Sequence, residues 1–512
     1  MSVIAKNPIM SGFYPDPSIC AVGEDFYLVT SSFAYFPGLP IMHSKNLAHW
    51  EQIGSALNRD SQLPLKEAGH SQGLFAPTIR YYEGTFYLIC TNVSHGGNFI
   101  VTAKNPEGPW SEPYYIEGAD GIDPSLFFDE DGTCYYIGTH PNPDGCKYDG
   151  DWYIWIQELD LQSMKLVGKP QNVWNGAMKN IIWPEGPHLY KKGDYYYIMH
   201  AEGGTGPDHA VTVCRSKSIF GPYENNFCNP ILTHRHLGKD YPVKYVGHAD
   251  LVQTQNGEWY MVMLAVRPTN GYTTMGRETF LAKVIWENDW PVVNPGVGML
   301  TDTVEINLPE WKSGVALSAQ EQYVFTTMES LAPSFLWLRN PVQEHYKLEK
   351  GKGLWMNFSS HTLKEKESPS YLSLRQRHHN FTCSVTLCTD NLTDGKRAGM
   401  AYVQSNDYHL RIEASKEGAE VILCENGNDI SVGFIKIENN SQVDVTLHVH
   451  GLVAEVEIEN KKTKPIDIRS LSTEVAGGFV GCTVGLYAVA TVDSEKEYAC
   501  FKRFSYEGQE KS

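Results

Sequence analysis

Residues 16–32 read DPSICAVGEDFYLVTSS: a β-rich run, a turn on Gly23, then an aromatic strand. The pattern returns four times, as APTIRYYEGTFYLICTN at 76–92, DPSLFFDEDGTCYYIGT at 123–139, GPHLYKKGDYYYIMHAE at 186–202 and HADLVQTQNGEWYMVML at 248–264. Each copy reads as a β-hairpin. Between the copies lie further strand-like segments, such as IMHSKNLAHWEQIG at 41–54 and FIVTAKNPEGPWSEPY at 99–114, which bring each repeat to four strands. Repeats of roughly 45–65 residues with four strands apiece are the mark of propeller blades around a central channel. Residues 1–300 are therefore predicted to form a five-bladed β-propeller. A chance resemblance inside a sandwich would not produce five copies of strand, Gly-containing turn and aromatic strand.

The pattern stops after NDWPVVNPGVGML at 288–300. Residues 301–321 read as a linker. From 322 to 512 the texture is different: FTCSVTL, AEVILCE, VDVTLHVH and LVAEVEIE alternate apolar and polar residues with a period of two and are divided by turns such as NGND. Helical periodicity is almost absent. This predicts a C-terminal β-sandwich of concanavalin-like or jelly-roll type, so the whole chain is expected to be all-β.

With 42% apolar and 12% aromatic residues over 512 positions, the chain can bury sizeable cores. A formal charge of -18 argues against nucleic acid and anionic membranes as partners, since both would repel the molecule. No apolar stretch reaches signal-peptide or membrane-span length, and the expectation is a cytoplasmic protein. The 11 cysteines include no CxxC pair and read as small core residues in a reducing compartment. The 29 tyrosines and 12 tryptophans suit interiors and sugar rings alike.

In a propeller the first strand of each blade lines the axis, so equivalent positions converge at one mouth of the channel. The residue before Pro in each copy forms such a column: Asp16, Ala76, Asp123 and Gly186, with His248 in the fifth copy and Glu185 one step before the column in the fourth. Each residue alone reads as a turn or a cap. As a set, three carboxylates brought together without counter-charges would raise one another's pKa, a cost a purely structural interior avoids. Hydrolysis of a glycosidic bond uses this equipment, one carboxyl protonated to donate to the leaving oxygen and another ionised to activate water or attack the anomeric carbon. A third acid can hold up the donor's pKa.

The motifs GFYPDPSI, APTIRYYEGTFYLI, GIDPSLFFDEDG, WPEGPHLYKKGDYYY and GHADLVQTQNGEWY resemble glycoside hydrolase family 43. SSFAYFPGLPIMHSKNLAHWEQIGSALNR at 31–59, together with the two-domain layout, is similar to the family's β-xylosidase and α-L-arabinofuranosidase branch. The resemblance implies an inverting mechanism with Asp16 as general base, Glu185 as general acid and Asp123 as modulator of the acid's pKa. It also implies that Arg277 in GRETF reaches the sugar pocket and that Phe33 and Phe75 wall it, Phe75 standing where many relatives carry tryptophan. Surface pairing for Arg277 and core packing for the phenylalanines are the plainer readings. In several relatives the histidine equivalent to His248 faces a calcium or sodium ion held mostly by waters. No cofactor is expected to be required, with a channel calcium near His248 as an optional ligand and a hydrogen bond near the catalytic acid as the other role.

The resulting expectation is an exo-acting hydrolase that removes terminal α-L-arabinofuranosyl residues, with β-D-xylosyl as companion or main substrate, from hemicellulose-derived oligosaccharides. A fructosidase-type hydrolase also joins a five-bladed propeller to a sandwich, but its NDPNG and RDP motifs are absent. A sugar-binding propeller without catalysis would have lost a carboxylate, and Asp16, Asp123 and Glu185 are all present.

Overall fold

The computed structural model describes residues 2–311, 319–438, 441–491 and 497–509. Five four-stranded antiparallel sheets follow one another along the chain, with inner strands Ser18–Val22, Thr78–Tyr82, Ile122–Phe128, Glu185–Lys192 and Lys244–Gln253. These are the five blades. The turn of each inner hairpin holds a glycine with positive φ, at Gly23, Gly84, Gly132, Gly193 and Gly257. A side chain there would be strained, which is why glycine recurs at this place in the repeat.

Every blade is built from one continuous stretch of chain, and the ring is closed by a small extra sheet. Val3–Lys6 pairs with Thr303–Ile306, which lies in the stretch read as a linker. Asn7 reinforces this closure: its amide donates to the Leu281 and Thr301 carbonyls and its oxygen accepts from the Leu281 N–H.

Beyond the ring, a nine-stranded sheet packs on an eight-stranded sheet. The strands Asn380–Cys388 and Gln442–His450 alternate buried and open positions, as expected of a sheet with one wet face. Ser370–Arg375 and Thr483–Ala490 are buried at every position. The reason is that the eight-stranded sheet faces the sandwich core on one side and the propeller on the other.

The two units share more than a contact surface. Tyr35–Phe36, from blade 1, pairs with Leu336–Leu338 and so forms the edge of the eight-stranded sheet. A continuous apolar core runs from Phe13, Phe33 and Leu63 of the propeller to Leu336, Tyr371 and Tyr487 of the sandwich. This seam resembles a domain interior, which favours a fixed relation between the units.

Candidate active site

Asp16, Asp123, Gly186 and His248 share one unusual backbone conformation, with φ of 53°, 53°, 58° and 50°. Four blades thus repeat the same left-handed kink, at the head of the inner strand in blades 1, 3 and 4 and at the irregularity between Gly247 and Ala249 in blade 5. Three of the four residues are not glycine, and strain of about 1–3 kcal/mol at each must be met by the surrounding fold. The kink turns the side chain off the strand and toward the axis. In blade 4 a β-carbon at position 186 would come within 2.8 Å of the His248 ring, so only glycine fits there. That is the physical reason the carboxylate of the fourth blade sits one residue earlier, at Glu185.

All seven residues named from the sequence line one cavity of about 230 Å3: Asp16, Phe33, Phe75, Asp123, Glu185, His248 and Arg277. Ala76, the remaining member of the column, lines it too. Arg277 grips Asp16 through two hydrogen bonds, Nη1 to Oδ1 at 2.6 Å and Nη2 to Oδ2 at 3.3 Å. Ser31 Oγ donates to Asp16 Oδ2 at 2.5 Å, and His248 Nδ1 lies 3.8 Å from Oδ1. Asp123 accepts from the Gly186 backbone N–H at 3.0 Å.

These surroundings separate the three acids. Burial works to raise the Asp16 carboxyl, but Arg277, His248 and the Ser31 hydrogen bond outweigh it and hold its pKa below the ordinary value. Burial pushes Asp123 up to about 6, with His248 opposing and Asp16 adding to the rise. Glu185 is raised well above the ordinary value by burial first, then by the negative charges of Asp123 and Asp16. The pocket therefore favours the ionised form at Asp16 and the protonated form at Glu185.

Arg277 is itself positioned by its neighbour. Glu278 is fully buried and accepts from Arg267 Nε and Nη2 at 2.7 and 2.8 Å and from the Gly12 N–H at 2.9 Å, fixing the strand start beside the segment that carries Asp16. The repeat pattern did not single out this network.

Five lining residues were not anticipated: Ile122, Trp152, Trp183, Thr205 and Phe479. Trp183 carried a readable signal, because it lies two residues before Glu185 in WPEG. Phe479 carried none, since it belongs to the sandwich. Its ring stacks on Phe33 at 6.2 Å and meets Phe75 edge-on at 6.1 Å, and the Arg277 guanidinium lies 5.7 and 5.6 Å from the Phe33 and Phe479 rings. The loop holding Phe479 is stitched to the propeller. Glu474 accepts from the Thr273 N–H and hydroxyl at 2.6 and 2.8 Å, Thr473 N–H donates to the Thr273 carbonyl, Cys482 N–H to that of Thr274, and Phe479 N–H to Ser71 Oγ.

Two residues further along the inner strands, the axis is plugged. Asp250 accepts from Arg80, Ser18 Oγ, Tyr190 Oη and the Ile19 N–H, while Arg80 also donates to His188 Nδ1. The carboxylate's acceptor sites are taken and its charge is balanced by a guanidinium. Asp250 is therefore not free to serve as a cation ligand. Among the described residues, the His, Cys and acidic side chains that converge at metal-ligand spacing are His409, Cys424 and Asp429 in the sandwich. There the Arg411 guanidinium already donates to His409 Nε2 and to Asp429.

One carboxylate kept ionised and one carboxyl kept protonated across a sugar-sized, aromatic-walled pocket define a glycosidase built on a propeller. The profile described as glycosyl hydrolases family 43 matches residues 5–291, and that of the β-xylosidase C-terminal concanavalin A-like domain matches residues 323–507. The chain belongs to glycosyl hydrolase family 43. It is 50% identical to a xylosidase/arabinosidase of Butyrivibrio fibrisolvens, over 99% of both chains. It is 38% identical to a non-reducing end alpha-L-arabinofuranosidase of Bacteroides ovatus, over 98% of this chain and 94% of that one. Among solved structures, the xylan beta-1,4-xylosidase of Bacillus halodurans superposes with a TM-score of 0.89 at 33% identity, over 98% of this chain and all of the other.

Proposed function

We propose that the protein is an exo-acting, inverting glycosidase that releases terminal α-L-arabinofuranosyl residues from hemicellulose-derived oligosaccharides, with β-D-xylosides as companion substrates. The observation that carries this reading is the opposed proton affinity of Asp16 and Glu185 within one pocket. Asp16, ionised and aimed by Arg277, takes the proton from a water as that water attacks the anomeric carbon. Glu185, protonated, donates to the departing glycosidic oxygen. Asp123 holds the Glu185 proton in place through its charge. Inversion needs the base and acid to stand roughly 6.5–9.5 Å apart with the water between them.

The exo reading is supported by the cavity itself. Its volume of about 230 Å3 is below the roughly 300–1,000 Å3 of drug-sized sites, and Phe479 roofs it, which suits one terminal pentose. The names of the relatives, a xylosidase/arabinosidase and an arabinofuranosidase, support pentosides as the substrate class. A xylosidase as the main activity is favoured by the full-length likeness to the Bacillus halodurans protein.

Proton NMR during turnover of arabinoxylan and xylo-oligosaccharide fragments tests all three parts together. The expected first product is free arabinose of β configuration, with α-xylose released from xylosides. A retained anomer would sink inversion, release of internal fragments would sink the exo reading, and no release from either substrate would sink the enzyme reading.

A further inference from the structure

All eleven cysteines are free thiols, and two of them face each other. Cys388 ends the strand Asn380–Cys388, which runs antiparallel to Tyr498–Gly508 in the nine-stranded sheet. Leu387 is in register with Phe501, so the next pair along the two strands is Cys388 and Cys500. Leu387 and Phe501 are buried in the sandwich core, which directs the two cysteines to the opposite face. Directly opposed residues of antiparallel strands have Cα atoms roughly 4.5–5.5 Å apart, inside the roughly 4.4–6.8 Å that a disulfide spans.

The surroundings distinguish this pair from the other thiols. Cys388 is partly exposed and Cys500 is buried behind it, whereas Cys20, Cys90, Cys214 and Cys383 are buried with no exposed thiol opposite them in register. Cys500 Sγ donates to the Lys352 carbonyl at 3.7 Å, and Lys502 Nζ donates to the same carbonyl, placing an ammonium beside the two sulfurs. Coupling to Cys500, helped by Lys502 and opposed by partial burial, draws the Cys388 thiol below the ordinary cysteine value, and the same coupling together with burial raises Cys500. A lowered thiol pKa enlarges the thiolate fraction, the nucleophilic form, at Cys388.

We propose that Cys388 and Cys500 form a reactive dithiol site for low-molecular-weight disulfides, with Cys388 as the attacking sulfur and Cys500 as the resolving one. The Cys388 thiolate bonds to one sulfur of the incoming disulfide and breaks its S–S bond, releasing one thiolate that takes up a proton. Cys500, losing its proton, then attacks the Cys388 sulfur and expels the second thiolate. Two protein thiols are oxidised by two electrons to one cystine, and the incoming disulfide is reduced to two thiols. The product ties the strand nearest the carboxyl terminus to its neighbour in the nine-stranded sheet, on the face away from the sandwich core.

The full-length protein treated with glutathione disulfide, followed by intact mass and non-reduced peptide mapping, tests the site. The expected result is loss of two hydrogens and a Cys388–Cys500 peptide ahead of any adduct on the exposed Cys146 or Cys228. Cys500→Ser should instead accumulate one glutathione on Cys388, and Cys388→Ser should leave Cys500 unmodified. In the untreated protein at neutral pH, iodoacetamide should alkylate Cys388 roughly fivefold faster than Cys228. A lasting glutathione adduct on Cys388 in the unaltered protein, or alkylation of Cys388 no faster than of Cys228, overturns the proposal.

Discussion

At the residue scale, each acid's role follows from its partners rather than from its type. Asp16 is held ionised by Arg277 and Ser31, while Glu185 accumulates like charge without a counter-ion of its own. Glu185→Gln should therefore cost about 10²–10⁴ in kcat/KM on oligosaccharides and far less on nitrophenyl pentosides, whose leaving group needs little protonation. Equal losses on both, read from initial rates, would count against Glu185 as the acid. The charge of Asp123 raises Glu185, so removing it must lower the Glu185 pKa. In the pH profile of kcat/KM, Asp123→Asn is expected to move the alkaline limb to lower pH, because the donor loses its proton sooner, while the acid limb set by Asp16 stays low. An alkaline limb that stays in place would contradict the coupling.

At the element scale, the recurring kink of the inner strand is the device that makes the site. Four of the five blades use it, and blade 4 shows its constraint, since Gly186 is both at positive φ and pressed against His248. Gly186→Ala is expected to lower kcat by about 100-fold with the fold retained, because a 1 Å displacement of Glu185 and His248 is costly even without unfolding. Far-UV circular dichroism alongside kinetics distinguishes this from simple destabilisation. The second element that matters is the short turn Thr473–Ala476, whose Glu474 clamps onto Thr273 and thereby sets the loop that carries Phe479. Phe479 is 42% exposed, leaving apolar surface for a sugar to cover. Phe479→Ala should reduce kcat/KM about tenfold, through KM more than kcat, on the ~1.4 kcal/mol expected from losing part of an aromatic contact. An unchanged KM would mean the ring does not touch the sugar.

At the scale of the whole molecule, the propeller and the sandwich act as one unit. The strand Tyr35–Phe36 completes the sandwich sheet, the loop just before it carries Phe33, and the sandwich returns Phe479 to the same pocket. The apolar seam makes separate unfolding unfavourable, so calorimetry of the full chain should show a single cooperative transition, and two resolved transitions would argue that the seam is weak. What the amino-acid order determined by itself is everything that repeats or alternates: five hairpins with a glycine turn, the column of Asp16, Asp123 and His248, and the period-two strands of the sandwich. Such features are written in local spacing, and the ring's symmetry converts spacing into convergence. Glu185 was legible as a displaced column member, although the reason for its displacement, the His248 ring over Gly186, was not. Phe479, the Glu278–Arg267 network and the Arg80–Asp250 plug were decided only by the tertiary structure. Each joins residues more than a blade apart or across two domains, or pairs charges that no local pattern relates. A contact of that kind depends on which surfaces the folded ring and sandwich bring together, and it leaves no period in the chain.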